Sequence, residues 1–232
     1  MRSLCFRLAG TVLGLWLRTA LCFAADQPPD TPATNGATSE SPSPRWFFRA
    51  GPTGLFFDSS AKIALGGKDL PGASLTASNN ATLIIEGGYF LTRNLAVEIS
   101  GGIPPTTTFT GKGTIAGLGK LGKATYGPAV FSLNYYFKGL GSFRPYLGVG
   151  EAYAFIFSTE DGAVKDLRVN GNRGFVVQGG FDYRMNKNWS VFADLKHISL
   201  KVNARGELLS APVTASVTLD PTIASLGVSY RW

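Results

Sequence analysis

Cysteine is nearly missing from this chain. The two present, Cys5 and Cys22, both fall in the amino-terminal leader described below. The exported remainder then carries none, which excludes disulfide staples and thiolate metal sites. A cysteine-free exported chain rich in strand patterns suits a bacterial envelope better than a disulfide-stapled secreted domain does. Histidine is equally scarce, with His197 alone, so neither a Ser-His-Asp triad nor a multi-histidine metal centre can be built around it. Asp194 and Glu151 could suggest an acid pair, but charges on strands explain them better. No enzyme and no cofactor is expected. Long hydrophobic runs are absent too. Beyond the leader, no window reaches the ~18 uninterrupted apolar residues of a membrane helix. Charge is sparse at 16%. Taking the leader's Arg2, Arg7 and Arg18 from the formal +7 leaves +4, too mild for a nucleic-acid partner. Residues 111–124 hold a formal G-x-G-x-x-G at Gly117, Gly119 and Gly122. No helix pattern follows to present N–H groups to a phosphate, so nucleotide binding is not expected.

What is present divides the chain in three. Residues 1–25 read as a signal peptide: Arg2 and Arg7 start it, Leu8 to Leu17 form its apolar centre, and Ala24 or Ala25 ends it. Residues 26–44 (DQPPDTPATNGATSESPSP) are rich in Pro, Ser, Thr and Asn, cannot bury apolar surface, and read as a disordered tether. Residues 45–232 carry period-2 alternation almost throughout. In the last stretch, Ala224, Leu226, Val228, Tyr230 and Trp232 alternate with Ser225, Gly227, Ser229 and Arg231. A chain that ends inside such a strand makes sense if that strand pairs with the first and leaves no edge.

Alternating segments fall at about 45–57, 81–91, 95–103, 125–138, 144–157, 174–185, 189–202 and 213–232. The connections between them alternate in length: 58–80, 104–124 and 158–173 are long, whereas 92–94, 139–143 and 186–188 are tight. Long loops at one end and tight turns at the other mark an outer-membrane barrel. The expected fold is all-β, an eight-stranded antiparallel up-and-down transmembrane β-barrel with both termini and the tight turns at the periplasm. A charge facing lipid near the midplane costs about 2–4 kcal/mol for Arg or Lys, so the charged face of each strand is assigned to the lumen. Tyr89, Tyr135, Phe137, Tyr183, Trp189, Tyr230 and Trp232 then form an aromatic girdle toward the tight-turn end.

The stretches FLTRNLAVE (Phe90 to Glu98), RPYLGVGEAY (Arg144 to Tyr153), GGFDYRMNKNWSVFADL (Gly179 to Leu195) and the closing LGVSYRW resemble the OmpW family of eight-stranded outer-membrane barrels. They occur in family order and span most of residues 45–232. The chain departs from the family pattern in ending on Trp232 rather than phenylalanine, though an aromatic carboxy terminus, the feature read by the outer-membrane assembly machinery, is kept. The resemblance implies a narrow barrel associated with passage of small hydrophobic molecules across the outer membrane.

An eight-stranded barrel is only wide enough for side chains to fill it, so a general aqueous pore is not expected. Toward the periplasm the lumen-facing charges Arg49, Glu86, Glu98, Glu151, Asp182, Arg184, Asp194, Lys196 and Arg231 nearly balance. Buried charges persist when paired, so this set reads as a polar plug. Toward the exterior the same face offers Ile84, Tyr126, Val130, Tyr153, Phe155, Ile198, Leu200 and Val202, an apolar cup. Proline removes a ladder donor, so Pro104, Pro105 and Pro128 mark a break between the third and fourth segments. The expectation is that a small hydrophobic solute enters the cup and leaves sideways there, into outer-membrane lipid. The alternative is an adhesion, receptor or structural barrel acting through its long loops. Lys112, Lys120 and Lys123 are placed to touch lipopolysaccharide phosphates.

Overall fold

The computed structural model describes residues 45–232; the leader and tether inferred above lie outside the described residues. In chain order the strands are β1 (Trp46–Phe57), β2 (Ser60–Leu65), β3 (Lys68–Asp69), β4 (Ala73–Ala77), β5 (Asn80–Phe90), β6 (Leu95–Gly102) and β7 (Thr106–Gly113). After a short 3-10 turn (Ala116–Leu118) come β8 (Lys120–Tyr136), β9 (Phe143–Asp161), β10 (Lys165–Asn170), β11 (Arg173–Arg184), β12 (Trp189–Leu208), β13 (Ala211–Thr218) and β14 (Pro221–Arg231).

Eight of these strands, β1, β5, β6, β8, β9, β11, β12 and β14, pair antiparallel in that order, and β14 closes back on β1. At the seam Trp46 and Trp232 exchange backbone hydrogen bonds of 3.3 and 3.2 Å. No edge amide is therefore left for lipid to bury unpaired. The ladder rows slope around the barrel. Followed from Arg49 through Glu86, Ser100, Val130, Ala152, Gly174 and Leu200, the row returns to β1 above Phe57. Residues of one row thus sit at different depths, as strand tilt in a closed barrel requires.

Alternation sorts each stave into a bore face and a lipid face. On β12, Phe192, Asp194, Lys196, Ile198, Leu200 and Val202 are buried inward, whereas Val191, Ala193 and Leu195 face out. Leu83, Ile85, Ile99, Phe131, Leu147, Phe175 and Leu226 stand exposed on the outside, forming the apolar band that lipid covers. Aromatic rings border this band at the tight-turn end, where Trp46 packs tilted against Tyr89 with centroids 4.8 Å apart and Trp189 packs edge-on against Tyr230 at 4.9 Å. Side chains close the tight turns. Thr92 Oγ1 accepts from the amides of Asn94 and Leu95, and Asn186 Oδ1 accepts from those of Asn188 and Trp189.

The far end differs from the expectation of long loops. Most of 58–80, 104–124 and 158–173 is strand. β10, β12, β13, β2 and β3 form one sheet, and β4 pairs with β7, which pairs with β8. The final segment, 213–232, is also two strands rather than one. They part at Leu219 and Asp220, where Asp220 accepts the Leu200 amide at 2.9 Å. The physical cause is alternation inside these connections. Ile63, Leu75, Val213 and Val217 recur on one face and are buried, so these strands extend the barrel wall instead of running free.

Candidate functional site

The bore has two layers of opposite character. The lower is built around Arg49 of β1. Its guanidinium donates to Glu98 of β6 (3.2 Å), Asp182 of β11 (2.7 Å), the Tyr136 hydroxyl of β8 (2.7 Å) and the Tyr146 hydroxyl of β9 (3.1 Å). Lys196 of β12 donates to Glu86 of β5 at 2.7 Å and to Asp194, with Glu98 3.6 Å away. The Tyr146 hydroxyl in turn donates a hydrogen bond to Asp194 (2.6 Å), and Asn134 and Gln178 donate to Glu98 (3.2 and 3.3 Å). Arg231 of β14 lies 3.6 Å from Asp182. Every stave therefore sends a group into one network. Arg49 and Lys196 are fully buried and so are all but a few per cent of the carboxylates, and charges so enclosed need this density of partners to remain ionised. Beneath lies an aromatic floor of Phe47, Phe90, Tyr136 and Tyr146, with Arg49 4.9 Å above the Phe47 ring. Among the described residues no group of His, Cys, Asp and Glu is arranged to hold a metal ion.

The upper layer is apolar. Leu55, Ala152, Ala154, Ile198, Leu200, Val202 and Ile223 line a small cavity of about 30 Å³. Phe109, Val169 and Val202 also border a second cavity of about 60 Å³ among Ile63, Leu75, Leu121, Val164, Leu208 and Val217 in the strands above. The two share these residues as a wall and form one hydrocarbon-lined column, closely packed and well below the ~300–1,000 Å³ of a preformed small-molecule site, so a solute enters only as side chains move aside.

The ladder is interrupted beside this column. β6 pairs with β8 as far as Ser100–Val130, and β7 resumes the pairing only at Thr106–Thr125. Between these points the Tyr126 amide reaches the Pro105 carbonyl at 3.2 Å. A small recess of about 30 Å³ occupies this interval. It is lined on the bore side by Leu55, Val130, Ile223 and Lys196, at the interruption by Gly101, Pro105 and Pro128, and on the lipid side by Leu83 and Ile103, the last two about half exposed.

Ile84, Tyr126, Val130, Ile198, Leu200 and Val202 face the bore. So do Arg49, Glu86, Glu98, Asp182, Asp194 and Lys196, with Arg231 at the lower rim. Pro104 packs near Gly127 and Phe157 beside the interruption. Four assignments need correction. Tyr153 and Phe155 point outward, 39% and 49% exposed. Glu151 also points outward, its side chain 64% exposed and 3.8 Å from Arg173. Arg184 follows the inward phase but lies exposed below the network, at the turn. The β9 errors share one cause. Its inward face is made of small residues, Gly148, Gly150, Ala152 and Ala154, and one outward charge, Glu151, inverted the reading. Gln178, on the charged side of its strand, faces the bore as the alternation requires, whereas Tyr136 and Tyr146 are not evident from the alternation. Tyr136 hides between the outward Tyr135 and Phe137, and Tyr146 belongs to the inverted strand; the run of small residues was the available signal. His197 faces outward, 3.1 Å from the Thr222 hydroxyl.

Residues 44–232 match the model of the OmpW family. The dibenzothiophene metabolism operon protein PahQ of Pseudomonas aeruginosa is 39% identical over 193 residues, 83% of this chain and 90% of that protein. Outer membrane protein AlkL of Ectopseudomonas oleovorans is 33% identical over 168 residues, 72% of this chain and 73% of its own. The crystal structure of outer membrane protein OprG from Pseudomonas aeruginosa superposes with a TM-score of 0.76 at 22% identity, covering 82% of this chain and 96% of that one, a likeness of fold. With a closed eight-stranded barrel, an apolar outer band and this match over its whole described length, the chain belongs to the OmpW family of outer-membrane proteins.

Proposed function

We propose that the barrel admits small hydrophobic molecules through its apolar upper bore and releases them sideways into the membrane between β6 and β8. The observation that carries this is continuity. Apolar side chains line most of the path from the outer strands to Leu83 and Ile103, with Thr53, Thr82, Ser100 and Lys196 as the polar residues of the last recess, and the ion-paired layer blocks the direct route below. An apolar solute gains roughly 25 cal/mol per Å² of surface taken out of water. Crossing the charged network would require breaking buried ion pairs, at about 3–5 kcal/mol for each stranded charge. The sideways step meets neither cost, because Leu83, Ile103 and Phe131 outside are as apolar as the bore. Relatives named for dibenzothiophene metabolism point to flat, fused aromatic solutes.

Uptake of dibenzothiophene by vesicles carrying the protein tests this. A Cβ built on Gly101 meets only the Pro128 carbonyl, at 3.8 Å, so Gly101→Phe covers the opening without straining the barrel. Ala154→Phe fills the bore above. Each variant is expected to cut protein-dependent uptake by about tenfold or more, the effect of losing roughly 1.4 kcal/mol along the path. Unchanged uptake by folded Gly101→Phe rejects the sideways exit, and unchanged uptake by folded Ala154→Phe rejects the bore itself.

A further inference from the structure

The sheet of β10, β12, β13, β2 and β3 has a second face that the transport reading does not use. Its inner face is apolar and borders the bore. Its outer face is polar along two registered rows, the second of which continues through Ala64 to Asp69. One row runs Asn170, Asn203, Ser216 and Lys62, and the next joins Arg168, Arg205 and Thr214. Lys165 and Lys201 stand on the same side, at the ends of the sheet. Asp69 and Glu207 are the carboxylates on this face. Among the described residues none of the five cations forms an ion pair. By contrast, on the opposite wall Lys123 is paired with Glu160 at 3.0 Å. A recess of about 430 Å³ opens over the rows, lined by Lys62, Arg205, Asn170, Asn203, Thr214 and Ser216, with Asp69 also on its lining.

The height of this face identifies what lies against it. The outward side of β12 is apolar through Leu195 and polar from His197 upward. Lys201 stands roughly 20 Å along the strand beyond Leu195, at ~3.4 Å per residue, and Arg205 farther still. This is above the hydrocarbon, in the layer of sugars and phosphates that covers the outer leaflet. The face has guanidinium and ammonium groups for phosphate and amides and hydroxyls for sugar. It has no aromatic ring for stacking.

We propose that this face docks the phosphorylated core sugars of lipopolysaccharide in the protein's own leaflet, with Lys62, Arg168 and Arg205 on phosphate and Asn170, Asn203 and Ser216 on sugar hydroxyls. Docking there would hold the carbohydrate layer against the wall of the bore, at the point where a solute arrives.

Binding of isolated phosphorylated core oligosaccharide to the full chain in nanodiscs tests the proposal. The triple variant Lys62→Gln/Arg168→Gln/Arg205→Gln is expected to lose about tenfold or more in affinity, because it removes the charge-assisted hydrogen bonds to phosphate. Enzymatic dephosphorylation of the sugar should cause a similar loss. Ser216→Trp, which fills the recess at constant charge, should cause a loss of the same order. Lys138→Gln/Lys187→Gln, in the tight turns at the other end of the barrel, should change binding less than twofold. Heat-dependent gel mobility verifies that each barrel is folded. Equal losses in the triple variant and the control pair, binding indifferent to phosphate, or full binding by folded Ser216→Trp would each overturn the site. None of these outcomes bears on dibenzothiophene uptake, so the two proposals fail separately.

Discussion

Lys196 and Glu98 belong to one buried network but differ in what their removal leaves behind. The carboxylates Glu86, Glu98, Asp182 and Asp194 face the cations Arg49, Lys196 and Arg231, so negative charge is in excess. Lys196→Met strands Glu86 and Asp194 with no close cation other than Arg49 and is expected to cost about 3–5 kcal/mol. Glu98→Gln removes a surplus charge yet retains an amide that Asn134 and Gln178 can bond, and should cost about 1 kcal/mol or less. Urea unfolding in lipid vesicles measures both. A larger loss for Glu98→Gln than for Lys196→Met would mean that the network is not short of positive charge. Most of this layer was legible in the sequence, because a charge inside an otherwise apolar strand has few places to go. Tyr136 and Tyr146 were not legible, since their hydroxyls look like any aromatic residue until Arg49 is seen between them.

At the scale of single strands, legibility depended on how pure the alternation was. β12 and β14 carry large apolar residues opposite small or polar ones, and their faces could be read directly. β9 inverts the usual contrast. Its bore face is glycine and alanine because the space is already filled from β8 and β11. A Cβ on Gly148 would collide with Asn134 Oδ1 and lie 2.9 Å from the Gln178 side chain. Gly148→Ala is therefore expected to cost about 1–3 kcal/mol, the range for overpacking, by displacing both amides from Glu98. The equivalent change at Gly87, where an added Cβ meets nothing within 4 Å, should be nearly silent. Matched unfolding curves of the two variants check this; equal stabilities would show that β9 has slack. The connections beyond the barrel were misread for a related reason. Gly66, Gly67, Gly72 and Gly113 turn with positive φ, and such residues mark loops in a sequence even when they only join short strands.

For the whole molecule, closure, slope of the ladder and layering act together. Closing the barrel leaves no unpaired edge, and the slope brings residues from distant staves to one depth. The charged layer then fills the bore at one depth while the apolar column lies above it, beside the interrupted ladder of β6 and β8. The eight staves are readable from the alternation and the connection lengths. The height of the column is not, because it is set by strands that pair only in three dimensions, such as β13 with β2. Photoaffinity labelling of the full chain in nanodiscs with a diazirine-bearing fused aromatic tests the path most directly. Adducts mapped by mass spectrometry should fall on Val202, Leu200 and Ile223 in the bore and on Ile103 and Leu83 at the opening. Adducts on Tyr136, Tyr146 or Phe47, below the charged layer, would contradict the account.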